Sequence, residues 1–264
     1  STLESRIVNS SPGDAVFRLS ATKDRYDYYE EMEQSEEAES ILPWGAEERF
    51  SGRKVVVVLE KAACELAASI LEGEGDAEEN ELIITHECLM ALLDSPLSKS
   101  GKLLVYIHTA SNKLIEVHPS LRVPRTFRRF AELIAQVMSK GQVKGHGAKL
   151  PLMQIVNGPV QQYFPTRCPC YGLSAQGQPA RVRDLSRKAS EGIVVFAISA
   201  SEGDALKDQK FGGAYAQNLV AVCPWGVRAG SVCQMVCNEY AELWGVHESA
   251  NALVEELAPE LLPR

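Results

Sequence analysis

Apolar patterning that can build a core begins at Lys54. Val55 to Leu59 is an unbroken aliphatic run, which predicts a strand buried on both faces. Ala62–Leu71 reads as a helix and the polar stretch Glu72–Glu81 as a loop. From Thr85 the spacing turns helical, with His86, Leu89, Leu92 and Leu93 on one side, and the helix must stop before Pro96. Lys102–Thr109 and Lys113–Val117 flank Ala-Ser-Asn, the signature of a β-hairpin. After Pro124 a helix is predicted with Thr126 as its N-cap and Phe127, Phe130, Ile134 and Val137 as its apolar stripe. Gly141 onward is a basic, glycine-rich loop. Leu152–Val156, Gly192–Ala197 and Leu219–Cys223 are short strand-like runs. A closing helix spans Gly230 to Trp244, with Val232, Met235, Val236, Tyr240 and Leu243 inward. Strands alternating with helices predict an α/β domain with a mainly parallel sheet.

The charge is unevenly spread. The chain has 264 residues and a net charge of −8, but residues 1–52 hold 12 acids against 5 bases and account for −7 of it. That segment is expected to be a flexible acidic extension. Within the near-neutral remainder, residues 95–150 hold ten bases and two acids. A basic island on a neutral body is the footprint of a polyanion site. Four of its arginines fall in Leu121–Phe130, LRVPRTFRRF: Arg122, Arg125, Arg128 and Arg129. Cations in the first turn of a helix oppose its dipole, so a ligand is the more attractive reason for them. Guanidinium forks beside helix N-terminal amides suit phosphate.

Other chemistries lack their motifs. There is no G-x-G-x-x-G, P-loop, HExxH or GxSxG, and no apolar run approaches the roughly 18 residues of a membrane span. No basic segment leading into an apolar stretch marks a secretory signal. The seven cysteines suggest reduced thiols. Cys168-Pro-Cys170 and Cys233-xxx-Cys237 lack the spacing of a zinc ribbon or finger, so no metal is expected. His86 reads as a buried, hydrogen-bonded histidine, and Asp94-Ser95-Pro96 as a cap or turn.

Three blocks, Ile84–Lys102, Leu121–Phe130 and Phe164-Pro-Thr-Arg-Cys168, together resemble the ribosome-biogenesis pseudouridine N1-methyltransferase family of the SPOUT class, over roughly 53–246. The resemblance implies an α/β trefoil-knot fold at 53–249, carrying an inserted β-hairpin unit at about 98–121, with 250–264 as a tail. It implies a nucleolar homodimer that works beside other small-subunit assembly factors. The implied reaction is methyl transfer from S-adenosylmethionine to N1 of a pseudouridine in a small-subunit rRNA hairpin loop, by positioning and without metal. Arg122, Arg125 and Arg129 match the family's RNA-contacting motif, with Arg128 beside them.

The implied cofactor loops hold Leu173; Ile198, Gly203, Asp204 and Ala205; and Val222, Cys223, Pro224, Trp225, Gly226 and Val227. They depart from the family pattern. Ile198 stands where a glycine is expected, with a side chain that could crowd the cofactor. Arg228 replaces a small serine, and Glu81-Leu82-Ile83 replaces R-P-D ahead of the Thr-His pair. The family's carboxylate is therefore absent at Ile83, and Asp204 is the nearest candidate base. Three readings stay open: an active methyltransferase of this family, a catalytically weak rRNA-binding assembly factor of the same fold, and a generic knot-fold methyltransferase acting on tRNA.

Overall fold

A computed structural model describes residues 52–73, 76–145, 150–188, 192–216, 218–223 and 225–246. All fall within the unit Pro43–Arg264. The acidic extension, save its last residue, and the tail at 250–264 lie outside the described residues, as do Lys149 and Pro224.

The valine run forms β1, Lys54–Ala62, in which only Lys61 is exposed. It is buried because it has neighbours on both edges. On one side lies β2, Leu103–Thr109, and on the other β7, Ile193–Ser199, both parallel to it. Beyond β7 come β6, Cys170–Pro179, and β8, Asn218–Ala221, again parallel. On the far side of β2 the pairing turns antiparallel through β3, Leu114–Val117, then β5, Pro151–Val156, then β4, Gln142–Lys144. The eight-stranded order is β4-β5-β3-β2-β1-β7-β6-β8. The predicted hairpin is therefore continuous with the sheet, and its first strand is central. Its turn uses Asn112 at φ 66°, a left-handed conformation that asparagine tolerates.

One face of the sheet carries the main core and the long helices. These are α1, Ala67–Glu72; α2, Asp76–Leu93; the short α3, Pro96–Lys99; α4, Phe127–Lys140; α5, Val182–Lys188; and α6, Ala229–Leu243. Alternate residues of β1 (Val55, Val57, Leu59) and β7 (Val194, Phe196, Ile198) point into this core. Phe130, Ile134 and Val137 of α4 are fully buried, as their stripe predicts.

Several local expectations need correction. The segment read as a helix from Ala62 is the end of β1, a 3-10 turn at Cys64–Leu66 and then α1. The segment read as a loop up to Glu81 already belongs to α2, whose opening DAEENEL is rich in helix formers. In α6 the buried face is Cys233, Val236, Cys237, Tyr240 and Ala241, whereas Met235 is exposed. Strand β6 and helix α5 carry no periodicity strong enough to announce them.

The other face is polar near the ends of β1 and β2. Glu60 is fully buried there. One carboxylate oxygen accepts from Tyr215 Oη at 2.6 Å and the other lies 2.6 Å from His108 Nδ1. His108 Nε2 lies 2.9 Å from Asn112 Oδ1, and Phe211 meets the imidazole edge-on. Burial disfavours the His108 imidazolium, but the hydrogen bond and charge of Glu60 outweigh it and raise the pKa above the ordinary 6.5. His118 is also buried. Burial lowers its pKa, and its Nδ1 accepts from Ser120 N at 3.1 Å.

Candidate functional site

A cavity of about 230 Å³ opens where β6 parts from β7 after Leu173 and at the carboxyl ends of β7 and β8. Crevices outside the carboxyl ends of parallel strands are where open α/β sheets hold ligands. Of the residues predicted for the cofactor, Leu173, Ile198, Gly203, Asp204, Val222, Cys223, Trp225 and Val227 line this cavity. Ala205 and Gly226 do not. Ala205 is buried at the start of a 3-10 turn, and Gly226 is exposed beside Trp225. The lining also includes Ser174, Gln176, Ser199, Ser201, Glu202 and Val232, which sequence reasoning missed. Small polar residues in loops carry no periodicity, so only the tertiary arrangement reveals them.

The loops are stitched together by side chains. Ser174 Oγ donates to Asp204 Oδ2 at 2.5 Å, joining the first loop to the second. Asp204 Oδ1 accepts from Leu206 N at 3.1 Å and caps the turn that follows. Both carboxylate oxygens are thus engaged within the protein. Ser199 Oγ donates to Gly203 O at 2.6 Å and tightens the bend between them. Ile198 is 2% exposed, so its side chain belongs to the main core and meets the cavity only as its floor. Trp225, 75% exposed, stands at the mouth.

The arginine segment is held at three points. Leu121 and Phe130 are buried at its ends. Between them the Pro124 carbonyl lies 2.7 Å from His86 Nε2. A carbonyl can only accept, so Nε2 carries the proton. The His86 ring also stacks on Phe130, with centroids 4.5 Å apart and planes 20° apart. His86 is therefore the buried, hydrogen-bonded residue expected, and its task is to seat this segment. Arg122, Arg125, Arg128 and Arg129 all face solvent. Arg125 Nη1 pairs with Asp94 Oδ2 at 2.9 Å, and Arg128 Nε lies 3.6 Å from Glu132. Lys99 joins the patch. Desolvation chiefly lowers its pKa, Asp94 opposes this, and Arg122 and Arg125 add to the fall. Thr126 occupies the N-cap position of α4, but its side chain makes no capping hydrogen bond.

Helix α2 connects the two regions. Near its start Glu81 Oε2 accepts from Glu202 N at 3.3 Å, in the second cavity loop. Glu87 pairs with Arg228 Nη1, beside the third. Arg228 is therefore drawn to α2, and it does not line the cavity. His86, the neighbour of Glu87, holds Pro124, and Asp94 just beyond the helix holds Arg125. At 1.5 Å per residue, Glu81 and Asp94 are separated by about 20 Å along one rigid element. Among the described residues no group of three His, Cys, Asp or Glu gathers to hold a metal, and no helix is long and apolar enough to cross a membrane.

The family model for EMG1/NEP1 methyltransferase matches residues 57–241. One similar relative is the ribosomal RNA small subunit methyltransferase NEP1 of Candida albicans, 34% identical over 174 residues, which are 65% of this chain and 64% of that protein. The human protein of the same name is 32% identical over 234 residues, 81% of this chain and 93% of its own. Among solved structures, Archaeoglobus fulgidus Nep1 bound to S-adenosylhomocysteine superposes with a TM-score of 0.57 at 18% identity, covering 74% of this chain and all of that one. That likeness shows the fold, and the match over most of the described sheet and helices settles the family. The chain belongs to the EMG1/NEP1 methyltransferase family.

Proposed function

We propose that this chain transfers a methyl group from S-adenosylmethionine to N1 of a pseudouridine in a small-subunit rRNA hairpin loop, during assembly of that subunit. The observation that carries the reading is the placement of two sites on one helix. Adjacent residues of α2, His86 and Glu87, tie down the arginine segment and the third cavity loop respectively. RNA bound by phosphate on the arginine face then has a loop base within reach of the cavity, given about 20 Å of helix between the outermost anchors. Extrusion of that base would complete the approach.

The cavity residues suit the cofactor chemically. Leu173, Ile198 and Val232 give an apolar floor for a purine, and Trp225 gives a ring at the mouth. Glu202, Asp204 and the serine hydroxyls give acceptors for ribose hydroxyls and a negative rim for a cation. The sulfonium of such a cofactor supplies an activated methyl group. The chain's own part is to bind, orient and desolvate, a contribution of positioning.

The second reading, a catalytically weak rRNA-binding factor, draws on Asp204. Its two oxygens are already hydrogen-bonded, and Ile83 provides no carboxylate in its place. Calorimetric titration with S-adenosylmethionine, with mass spectrometry of the nucleoside after incubation with a loop oligonucleotide, separates the two. Binding with a methyl-sized mass gain supports the enzyme. Oligonucleotide binding with neither would establish the assembly factor instead. The trefoil knot, the homodimer, the nucleolar location and the other assembly factors as partners belong to the same proposal, resting on family resemblance. Light scattering of the purified chain tests the dimer.

A further inference from the structure

A second cavity, of about 380 Å³, lies at the start of β6 on the opposite face of the sheet, and the function above makes no use of it. Its wall carries both thiols of Cys168-Pro169-Cys170. The two sulfurs are 3.9 Å apart. Pro169 fixes φ between them, and its carbonyl accepts from Val195 N at 2.9 Å, so the segment is held in the sheet. Cys168 sits in a bend just ahead of β6 and Cys170 is the first residue of the strand, so closing the pair means bringing the two sulfurs together from 3.9 Å to the roughly 2 Å of a disulfide.

The pair is also polarised. The hydrogen bond from Cys170 chiefly lowers the Cys168 pKa, while Cys170, bonded to Cys168 and partly buried, is raised. Cys170 Sγ also lies 3.4 Å from the Cys168 carbonyl, so its single S–H has two acceptors in reach, that oxygen and the Cys168 sulfur. Gln161 also lines the cavity, and its Oε1 is buried without a hydrogen-bond partner among the described residues. A buried amide oxygen left unpaired is costly, and a ligand bearing an N–H would satisfy it. Thr166 and Asn218 are exposed on the same wall. The volume falls in the roughly 300–1,000 Å³ of small-ligand sites.

We propose that this cavity is a thiol–disulfide exchange site for a small peptidic disulfide of the oxidised-glutathione class. The Cys168 thiolate attacks one sulfur of the disulfide, forming a mixed disulfide and releasing one thiolate. Cys170 then gives its proton to solvent and attacks the Cys168 sulfur, releasing the second. Two protein thiols and one small disulfide become one protein disulfide and two small thiols, so electrons and protons balance.

Trypsin yields a direct readout, because cleavage after Arg167 and Arg181 leaves both cysteines, and no others, in one peptide. The full chain is incubated with oxidised glutathione, alkylated and digested. The expected result is a 168–181 peptide lighter by two hydrogens, carrying no alkyl group, and restored by dithiothreitol. Cys170→Ser should stop at a glutathione adduct on Cys168, and Cys168→Ser should not react in this peptide. Gln161→Leu should slow exchange with oxidised glutathione severalfold but not with hydroxyethyl disulfide, which has no N–H. A peptide that stays doubly alkylated, or a stable adduct with no closure in the unsubstituted chain, overturns the proposal. Equal slowing of both disulfides in Gln161→Leu removes the peptidic specificity.

Discussion

Replacing His86 by phenylalanine isolates the anchor of the arginine segment. The substitution keeps a ring against Phe130, 4.5 Å away in the stack, but removes the Nε2–H that serves the Pro124 carbonyl at 2.7 Å. Leaving a buried acceptor unsatisfied costs about 1–3 kcal/mol. Pro124 is only half-buried, so water recovers part of this and the lower end, about 1 kcal/mol, is expected. For a domain of this size that is a fall in Tm of roughly 2–4 °C. The functional effect should exceed the thermal one. Leu121 and Phe130 remain buried, but the backbone between them that carries Arg122 and Arg125 loses its middle support. Loop-oligonucleotide affinity, measured by fluorescence anisotropy across a salt series, should fall severalfold. Its log–log salt slope should lessen by about 0.7 for each single-strand phosphate that the arginines cease to neutralise. S-adenosylmethionine affinity should stay within about twofold, because Glu87, which serves the cavity side, is untouched. An unchanged salt slope with the expected drop in Tm would show that the hydrogen bond stabilises the fold alone. An equal fall in cofactor affinity would show that His86 acts through the whole of α2.

Other substitutions probe the remaining features. Arg125→Ala with Arg129→Ala should weaken RNA binding and flatten its salt dependence without moving Tm by more than a degree or two, since exposed pairs contribute about 0–1 kcal/mol; undiminished binding refutes the face. Gly177→Ala should cost about 1–3 kcal/mol or more, because its Cβ would meet Val220 N at 2.5 Å and Leu219 C at 2.6 Å, both backbone. Gly192→Ala, with nothing within 4 Å, is the matched control in the same thermal melts. Ile198→Ala, which moves toward the family's glycine, should destabilise by about 2–5 kcal/mol and should not tighten cofactor binding; tighter binding by calorimetry would show that Ile198 obstructs the site after all. His108 and His118 should pull stability in opposite directions with pH. His108, with its pKa raised, contributes stability below 6.5 that is lost as pH climbs through its folded value. His118, with its pKa lowered, contributes stability above 6.5 that is lost as pH falls through its folded value. Denaturant titrations of His108→Gln and His118→Gln over this range should flatten opposite limbs of the profile.

What the sequence disclosed follows from which forces are local. The β1 run and the α4 stripe announce themselves because burial imposes a period on consecutive residues. The arginine face is legible for the same reason, since the stripe on α4 dictates which side remains for Arg128 and Arg129. β6 escapes because closeness of approach, and not hydrophobicity, selects its residues. Gly172 and Gly177 leave no room for a Cβ beside β8, and serine and glutamine line the cavity. The fate of Arg228 cannot be read locally, because its partner Glu87 lies 141 residues earlier. Hydropathy alone turns Met235 inward, yet Cys233 and Cys237, one turn apart, are small enough to sit against α2 and α3 and take the buried face.

The bond from Tyr215 to Glu60 closes a span of 155 residues, and its consequence is one of timing. Loop closure of that length is among the last costs a chain meets, since contacts of high sequence separation reward it only once their partners are placed. Glu60 is placed only when β1 has paired with β2 and His108 has come alongside. The connection between β7 and β8, which carries Gly203 and Asp204, is therefore expected to become ordered with or after the pairing of β1 with β2 and β7. Pulsed hydrogen exchange that protected Asp204 before Val57 would refute this order, and with it the idea that the cavity is completed late.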